Sequence, residues 1–193
     1  MRKAVVLIIA LLMTAGLCAC NVTVSTPADT VDSFLKDLKS GDKEALMLYV
    51  DNSDVNTLIN NTMDEKLSGE IYGDLMENLT WEIVSAEENE EQTEAIVVVS
   101  ITNSDFSGVR KAYKKEAVDY MMYNLYDDDV TKKVMKAKCQ EIFAQQIKNA
   151  SEAGDNPVTT EVEVKLTKND TYTWDMEVTK ELTKAAIGGL KWP

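Results

Sequence analysis

Apolar positions in the first third of the chain recur with helical spacing. Val31, Phe34, Leu35 and Leu38 stand at i, i+3, i+4 and i+7 and predict an amphipathic helix with one apolar face. Its start is written in Thr26-Pro27-Ala28-Asp29. A hydroxyl can cap there, proline sits where no backbone donor is needed, and a carboxylate lies near the positive end of the helix dipole. Gly41 ends the helix, and Asp42 is placed to cap a second one carrying Ala45, Leu46, Tyr49 and Val50. Ser53 or Asp54 opens a third, with Val55, Leu58, Ile59 and Met63 inward. Leu67, Ile71, Tyr72, Leu75 and Met76 mark a fourth, shorter piece.

The period then changes. Leu79 to Ala86 reads as a strand, Glu87 to Gln92 as an acidic turn, and Thr93 to Thr102 as a second strand, together a hairpin. The second strand is apolar on both faces from Ile96 to Val99, which predicts a central strand covered on both sides. From Asp105 or Ser107, as caps, to about Ala153 the pattern is helical again. Val109, Ala112, Tyr113, Ala117, Tyr120 and Met121 form one stripe; Val130, Val134, Met135, Ala137, Ile142, Phe143 and Ile147 form another. Asp127-Asp128-Asp129 divides them into two helices, one long helix being the alternative.

Gly154 to Pro157 breaks that pattern. Val158, Thr160, Val162, Val164 and Leu166 then alternate with Thr159, Glu161, Glu163 and Lys165. After a turn at Lys168-Asn169-Asp170, Tyr172, Trp174, Met176 and Val178 alternate with Thr173, Asp175 and Glu177. Such alternation predicts a second hairpin with one face buried and one wet. Thr179 to Leu190 is a short terminal helix ending at Gly188-Gly189, with Trp192 beyond. Helices, hairpin, helices, hairpin is the order of an α+β domain: a curved antiparallel sheet, the N-terminal helices in its concave face, and a helical insertion between the hairpins.

The N-terminus has the parts of an export signal. Met1-Arg2-Lys3 is cationic, Ala4 to Met13 is unbroken apolar sequence, and Leu17-Cys18-Ala19-Cys20 follows after Thr14-Ala15-Gly16. The apolar run is shorter than the roughly 20 residues a bilayer-spanning helix needs. Leu17-Cys18-Ala19-Cys20 resembles the bacterial lipobox, with Leu at −3, a small residue at −1 and Cys at +1. The resemblance implies diacylglycerol on Cys20 and cleavage before it. Cys18 competes, but it would put the bulky Leu17 next to the cut. The chain thus divides into a signal peptide (1–19), a polar tether (20–25) and a single α+β domain (26–193).

Lipobox, tether and the run from Thr26 to Asp42 (TPADTVDSFLKDLKSGD) are together similar to the opening of many small bacterial lipoproteins. Their domains have the nuclear-transport-factor-two-like fold, a cone of helices on a curved antiparallel sheet. The resemblance covers residues 26–50 and implies a fold, not an activity, since that fold hosts unrelated functions. No catalytic spacing of its enzymes matches residues of this chain.

Removing residues 1–19 leaves 18 basic and 33 acidic residues, a net charge of −15. Such acidity argues against nucleic acid, whose binding rests on Lys and Arg at phosphates. It argues equally against attraction to anionic lipid, so the attached lipid should be the sole membrane contact. There is no histidine, the commonest general base and metal ligand. Cys139 alone remains as a free thiol beside Cys20, and its helical setting reads as a small core residue. Asp127-Asp128-Asp129 lacks the alternating ligand spacing of a calcium loop and reads as a solvated helix junction. Glu87, Glu88, Glu90 and Glu91 read as an exposed turn. Tyr113, Tyr120, Tyr123, Met121 and Met122 form an aromatic-methionine stripe, read as core packing before ligand groove.

Tyr49, Tyr72, Trp81 and Trp174 are the residues placed near a cone mouth, as a possible pocket. Phosphate loops, nucleophile elbows and paired-cysteine motifs are absent from the sequence. The expectation is a non-enzymatic lipoprotein on the extracytoplasmic face of the bacterial cell membrane, without cofactor or metal. It would bind an unknown protein or a small apolar ligand. An enzyme or carrier for a small apolar ligand in the cone, and a structural envelope protein, are the alternatives.

Overall fold

The computed structural model describes residues 25–49, 53–62, 66–127, 129–154 and 156–193. The signal peptide, Cys20, Val50, Met63 and Asp128 lie outside them, as do the side chains of Asp54 and Leu67. In chain order the elements are α1 (Pro27–Ser40), α2 (Lys43–Leu46) with a single tight turn after it (Met47–Tyr49), α3 (Ser53–Thr62) and α4 (Lys66–Met76). Strands β1 (Thr80–Glu88) and β2 (Glu94–Ser104) follow, then α5 (Val109–Tyr123) and α6 (Lys132–Ala153). Strands β3 (Pro157–Lys168) and β4 (Trp174–Met176) and helix α7 (Lys180–Ala186) complete the domain.

Helix α1 starts and stops on the expected residues. Thr26 is extended and its hydroxyl accepts the Asp29 N–H at 3.1 Å, while the Asp29 carboxylate accepts the Thr26 N–H at 3.0 Å. This reciprocal box satisfies two backbone donors that a helix start leaves open. Gly41 ends α1 in the left-handed region, at φ 69°. A side chain there would also run into the Tyr72 ring, 2.9 Å from where its Cβ would stand.

The sheet has strand order β1-β2-β3-β4, each neighbour antiparallel. Across the central pair, Val99 faces Val162, Val97 faces Val164 and Ala95 faces Leu166, all buried. On this apolar face lie Val31, Phe34, Leu35 and Leu38 of α1, each at most 1% exposed. Leu182 and Ala186 of α7, which packs on β2 and β3, are equally buried. The domain is therefore α+β, with the helices and one sheet face sharing a core.

The opposite face corrects the expectation for β2. Ile96 is 45% exposed and Val98 half-buried, so the strand is central but covered on one side only. Its outward neighbours in the register are Lys165, Glu163, Glu161 and Thr159, a polar row on which, among the described residues, no layer of helices packs. Apolar residues on both faces therefore do not mark a buried strand here.

The second hairpin is shorter than its alternation suggests. Asn169 organises a turn from 169 to 173: its side-chain carbonyl oxygen accepts the Thr171 and Thr173 N–H groups at 3.0 and 3.1 Å. Tyr172 sits inside that turn with φ 62° and 76% exposure, not on the buried strand face. Only Trp174, Asp175 and Met176 pair with β3. At the start of β3, Val158 and Thr160 are also exposed, because they border an open groove beside α7. Helices α5 and α6 pack on each other, and α6 packs on α4. The chain breaks between α5 and α6 at the acidic triplet, as two helices rather than one.

Candidate functional site

The four candidate pocket aromatics converge on one element, α1. The Tyr72 hydroxyl donates to the Leu38 carbonyl, and burial pushes its phenol far above the usual range. The Trp81 indole donates to Asp32 Oδ1 at 2.9 Å. Asp32 also holds Lys36 at 2.6 Å; the lysine first and the indole second keep its carboxyl below the usual range. Tyr49 stands edge-on to Phe34, with ring centroids 4.9 Å apart. Trp174 is buried on β4, which packs on α1, and Lys168 Nζ lies 4.7 Å from its ring centre. The polar tips of Tyr72 and Trp81 are thus spent on α1 itself. Truncating Trp174 to alanine should cost roughly 3–5 kcal/mol, the range for a buried aromatic, read as a shift in denaturant midpoint.

A polar cluster that sequence reasoning passed over holds the helical insertion to the sheet. Asn103 is 1% exposed on β2. Its amide donates to the carbonyls of Leu75 at 3.0 Å and Ala186 at 2.6 Å, and its oxygen accepts the Ser104 N–H at 2.8 Å. Asn78 donates to the Ser104 hydroxyl at 3.1 Å and to the Ser151 carbonyl at 3.0 Å. Amides carry this work, Asn103 buried and Asn78 from an exposed position, because each can meet several polar groups at once. The available signal was an asparagine placed in phase with the inward residues Val97, Val99 and Ile101.

The aromatic-methionine stripe is divided, contrary to the core reading. Tyr113 is half-buried against Phe143, 5.5 Å between ring centres, and Tyr120 is half-buried. Met121, Met122 and Tyr123 are 37%, 67% and 91% exposed. The cause is the length of α5 and α6: only the inward side of the pair meets other elements, and the far end of the hairpin stands in solvent. Cys139 is half-buried, not a core residue. Asp127 and Asp129 are exposed, with the Asp129 N–H on the Asp127 carboxylate at 3.0 Å. Glu87 to Glu91 are exposed at the first hairpin's end. Among the described residues no three acids or cysteines are grouped to hold a metal ion.

No family model matches the chain, and no curated protein does. Among solved structures it is similar to the crystal structure of a "putative lipoprotein (ycdA)" from Bacillus subtilis, at 18% identity and a TM-score of 0.43. That match covers 86% of this chain and 48% of the other, so the chain spans about half the length of that structure.

Proposed function

We propose that this chain is a lipoprotein of the bacterial cell membrane, anchored on its extracytoplasmic face through Cys20, whose domain is a non-catalytic binding or protein-interaction module. The carrying observation is the run from Arg2 to Cys20: cationic start, apolar stretch, then Leu17-Cys18-Ala19-Cys20. Among the described residues no helix is long and apolar enough to cross a membrane, which fits attachment by lipid. The nuclear-transport-factor-two-like reading of the domain rests on the Thr26–Asp42 run and on α1 packing against the sheet. Binding is favoured over catalysis because the chain has no histidine and because α1 occupies the polar tips of Tyr72 and Trp81.

The test is metabolic labelling with a fatty acid. The parent chain should take up label and be processed. Cys20→Ala should leave an unlabelled precursor, and Cys18→Ala should change neither. Label lost from Cys18→Ala but kept by Cys20→Ala would overturn the assignment.

A further inference from the structure

We propose that the free edge of β3 takes up an extended segment of a basic partner protein as a further antiparallel strand, which names the partner class for the interaction module proposed above and rests on that reading. In an antiparallel ladder the N–H and C=O of successive residues point to alternate sides of the strand. The Lys168 N–H bonds the Thr93 carbonyl at 2.8 Å. From there the register of β2 with β3 runs unbroken, from Glu94 opposite Thr167 to Ser104 opposite Pro157. Val158, Thr160, Val162 and Val164 therefore spend their backbone groups on β2. Thr159, Glu161 and Glu163 point theirs to the other side. Pro157 shares their phase and has no N–H to leave open, as suits a residue on an edge.

Strand β4 closes only the far part of that edge. It pairs with Leu166, Thr167 and Lys168, and the Glu177 N–H reaches the Lys165 carbonyl at 2.9 Å. Among the described residues no strand lies beyond Thr159, Glu161 and Glu163, which are all exposed. The space beside them is open. Val158 and Thr160 border a groove of about 370 Å³ whose far wall is Glu181, Lys184 and the turn at Gly188. A strand added here meets unpaired backbone groups and lays every second side chain over that groove.

Charge states what that strand carries. Residues directly opposite on neighbouring strands share a face of the sheet. Where β3 has a neighbour on this side, Lys165 stands in register with Glu177. Where it has none, the outward row goes on with Glu163 and Glu161, and Ser100 separates Glu161 from Glu82 across the sheet. Among the described residues no lysine or arginine forms an ion pair with these glutamates. The matching segment sets lysine or arginine opposite Glu161 and Glu163 and alternates them with apolar residues over the groove. A second copy is the poorer occupant. The antiparallel register that pairs Thr159, Glu161 and Glu163 with their own copies sets Glu161 opposite Glu161, and like charges directly opposite destabilise a sheet.

The experiment titrates the full chain, purified in detergent, into a fluorescent peptide of about seven alternating lysines and valines, a typical strand length, read by anisotropy. The peptide should bind saturably at one site. The same residues arranged in two blocks, equal in charge, should bind about tenfold more weakly. So should the alternating peptide N-methylated at its lysines, whose amides would face β3. Thr159→Pro removes a free N–H without touching the β2 ladder or a charge, and should weaken binding about tenfold as well. Glu161→Lys with Glu163→Lys should do the same and should admit an alternating glutamate–valine peptide instead. These positions are exposed, so melting like the parent's excludes misfolding, and the charge reversal decides if Thr159→Pro does not fold. No binding, equal binding of the alternating and block peptides, or a charge reversal without effect would each overturn the proposal. Carbodiimide cross-linking in native membranes separates it from the reading beneath it. Adducts with another protein should be lost on charge reversal. Adducts that persist would overturn the edge and leave the interaction module standing, adducts between copies alone would give the edge to a second copy, and no adducts would remove both.

Discussion

Gly188→Ala should be among the most destabilising single substitutions in this domain, at about 4 kcal/mol or more. Gly188 has φ 53°, a region that costs a residue with a side chain energy before any contact is considered. The added Cβ would stand 2.0 Å from the Ser104 carbonyl oxygen and 2.8 Å from Phe106 Cδ2. Neither neighbour can yield cheaply. Ser104 is the last paired residue of β2, and Phe106 is fully buried, its N–H bonded to the Gly188 carbonyl at 2.9 Å. Relief requires the turn after α7 to lift from the sheet, exposing Phe106 and Leu190 and breaking that bond. Gly73→Ala is the matched comparison: it lies inside α4 with open space around it. It should stabilise the domain by roughly 0.5–1 kcal/mol through helix propensity. Urea titrations of the chain from residue 25 onward, followed by tryptophan fluorescence, should show midpoints moving in opposite directions. A Gly188→Ala midpoint within error of the parent would refute the close approach.

What the residue pattern disclosed was set by local rules. The Thr26 cap, the Gly41 stop and the inward face of Val162, Val164 and Leu166 follow from neighbours within a few positions, and the structure has them. What it concealed depended on which second surface arrives. Ile96 and Val98 look buried by composition, yet the helices occupy only the opposite face of their strand. Met122 and Tyr123 continue a helical stripe that is core near Val109 and solvent at the hairpin's end. Tyr172 fits the alternation of β4, but the Asn169 side chain closes the turn around it first. Of the candidate residues, the four aromatics gather around α1, a proximity that no spacing in the sequence contains because they come from four separate segments.

Asn103→Asp should nearly match Gly188→Ala in cost, and its dependence on pH gives it away. The Leu75 and Ala186 carbonyls belong to the last turns of α4 and α7, where a helix leaves its C=O groups without partners. One amide satisfies both, at 3.0 and 2.6 Å, from a side chain with 1% exposure. Two negative helix ends therefore point at this amide. The substituted carboxylate keeps the oxygen that accepts the Ser104 N–H but turns the two donated bonds into contacts between oxygens. Burying that charge against two helix ends should cost roughly 3–5 kcal/mol at neutral pH. The folded protein would hold the introduced carboxyl protonated to a higher pH than the unfolded chain, where it titrates at about 3.9. The penalty therefore grows as pH rises from about 4 toward 7 and shrinks on acidification, when a protonated carboxyl can donate to one carbonyl. Asn103→Leu supplies the control: it leaves two acceptors and the Ser104 N–H unpaired, at about 3 kcal/mol or more, with no pH dependence of its own. Denaturation of the parent and both variants at about pH 4.5 and about pH 7.5 separates these cases, each variant being compared with the parent at the same pH. Equal losses for Asn103→Asp at the two pH values would mean that its side chain reaches water, and would dismantle the account of Asn103 as the joint cap of α4 and α7.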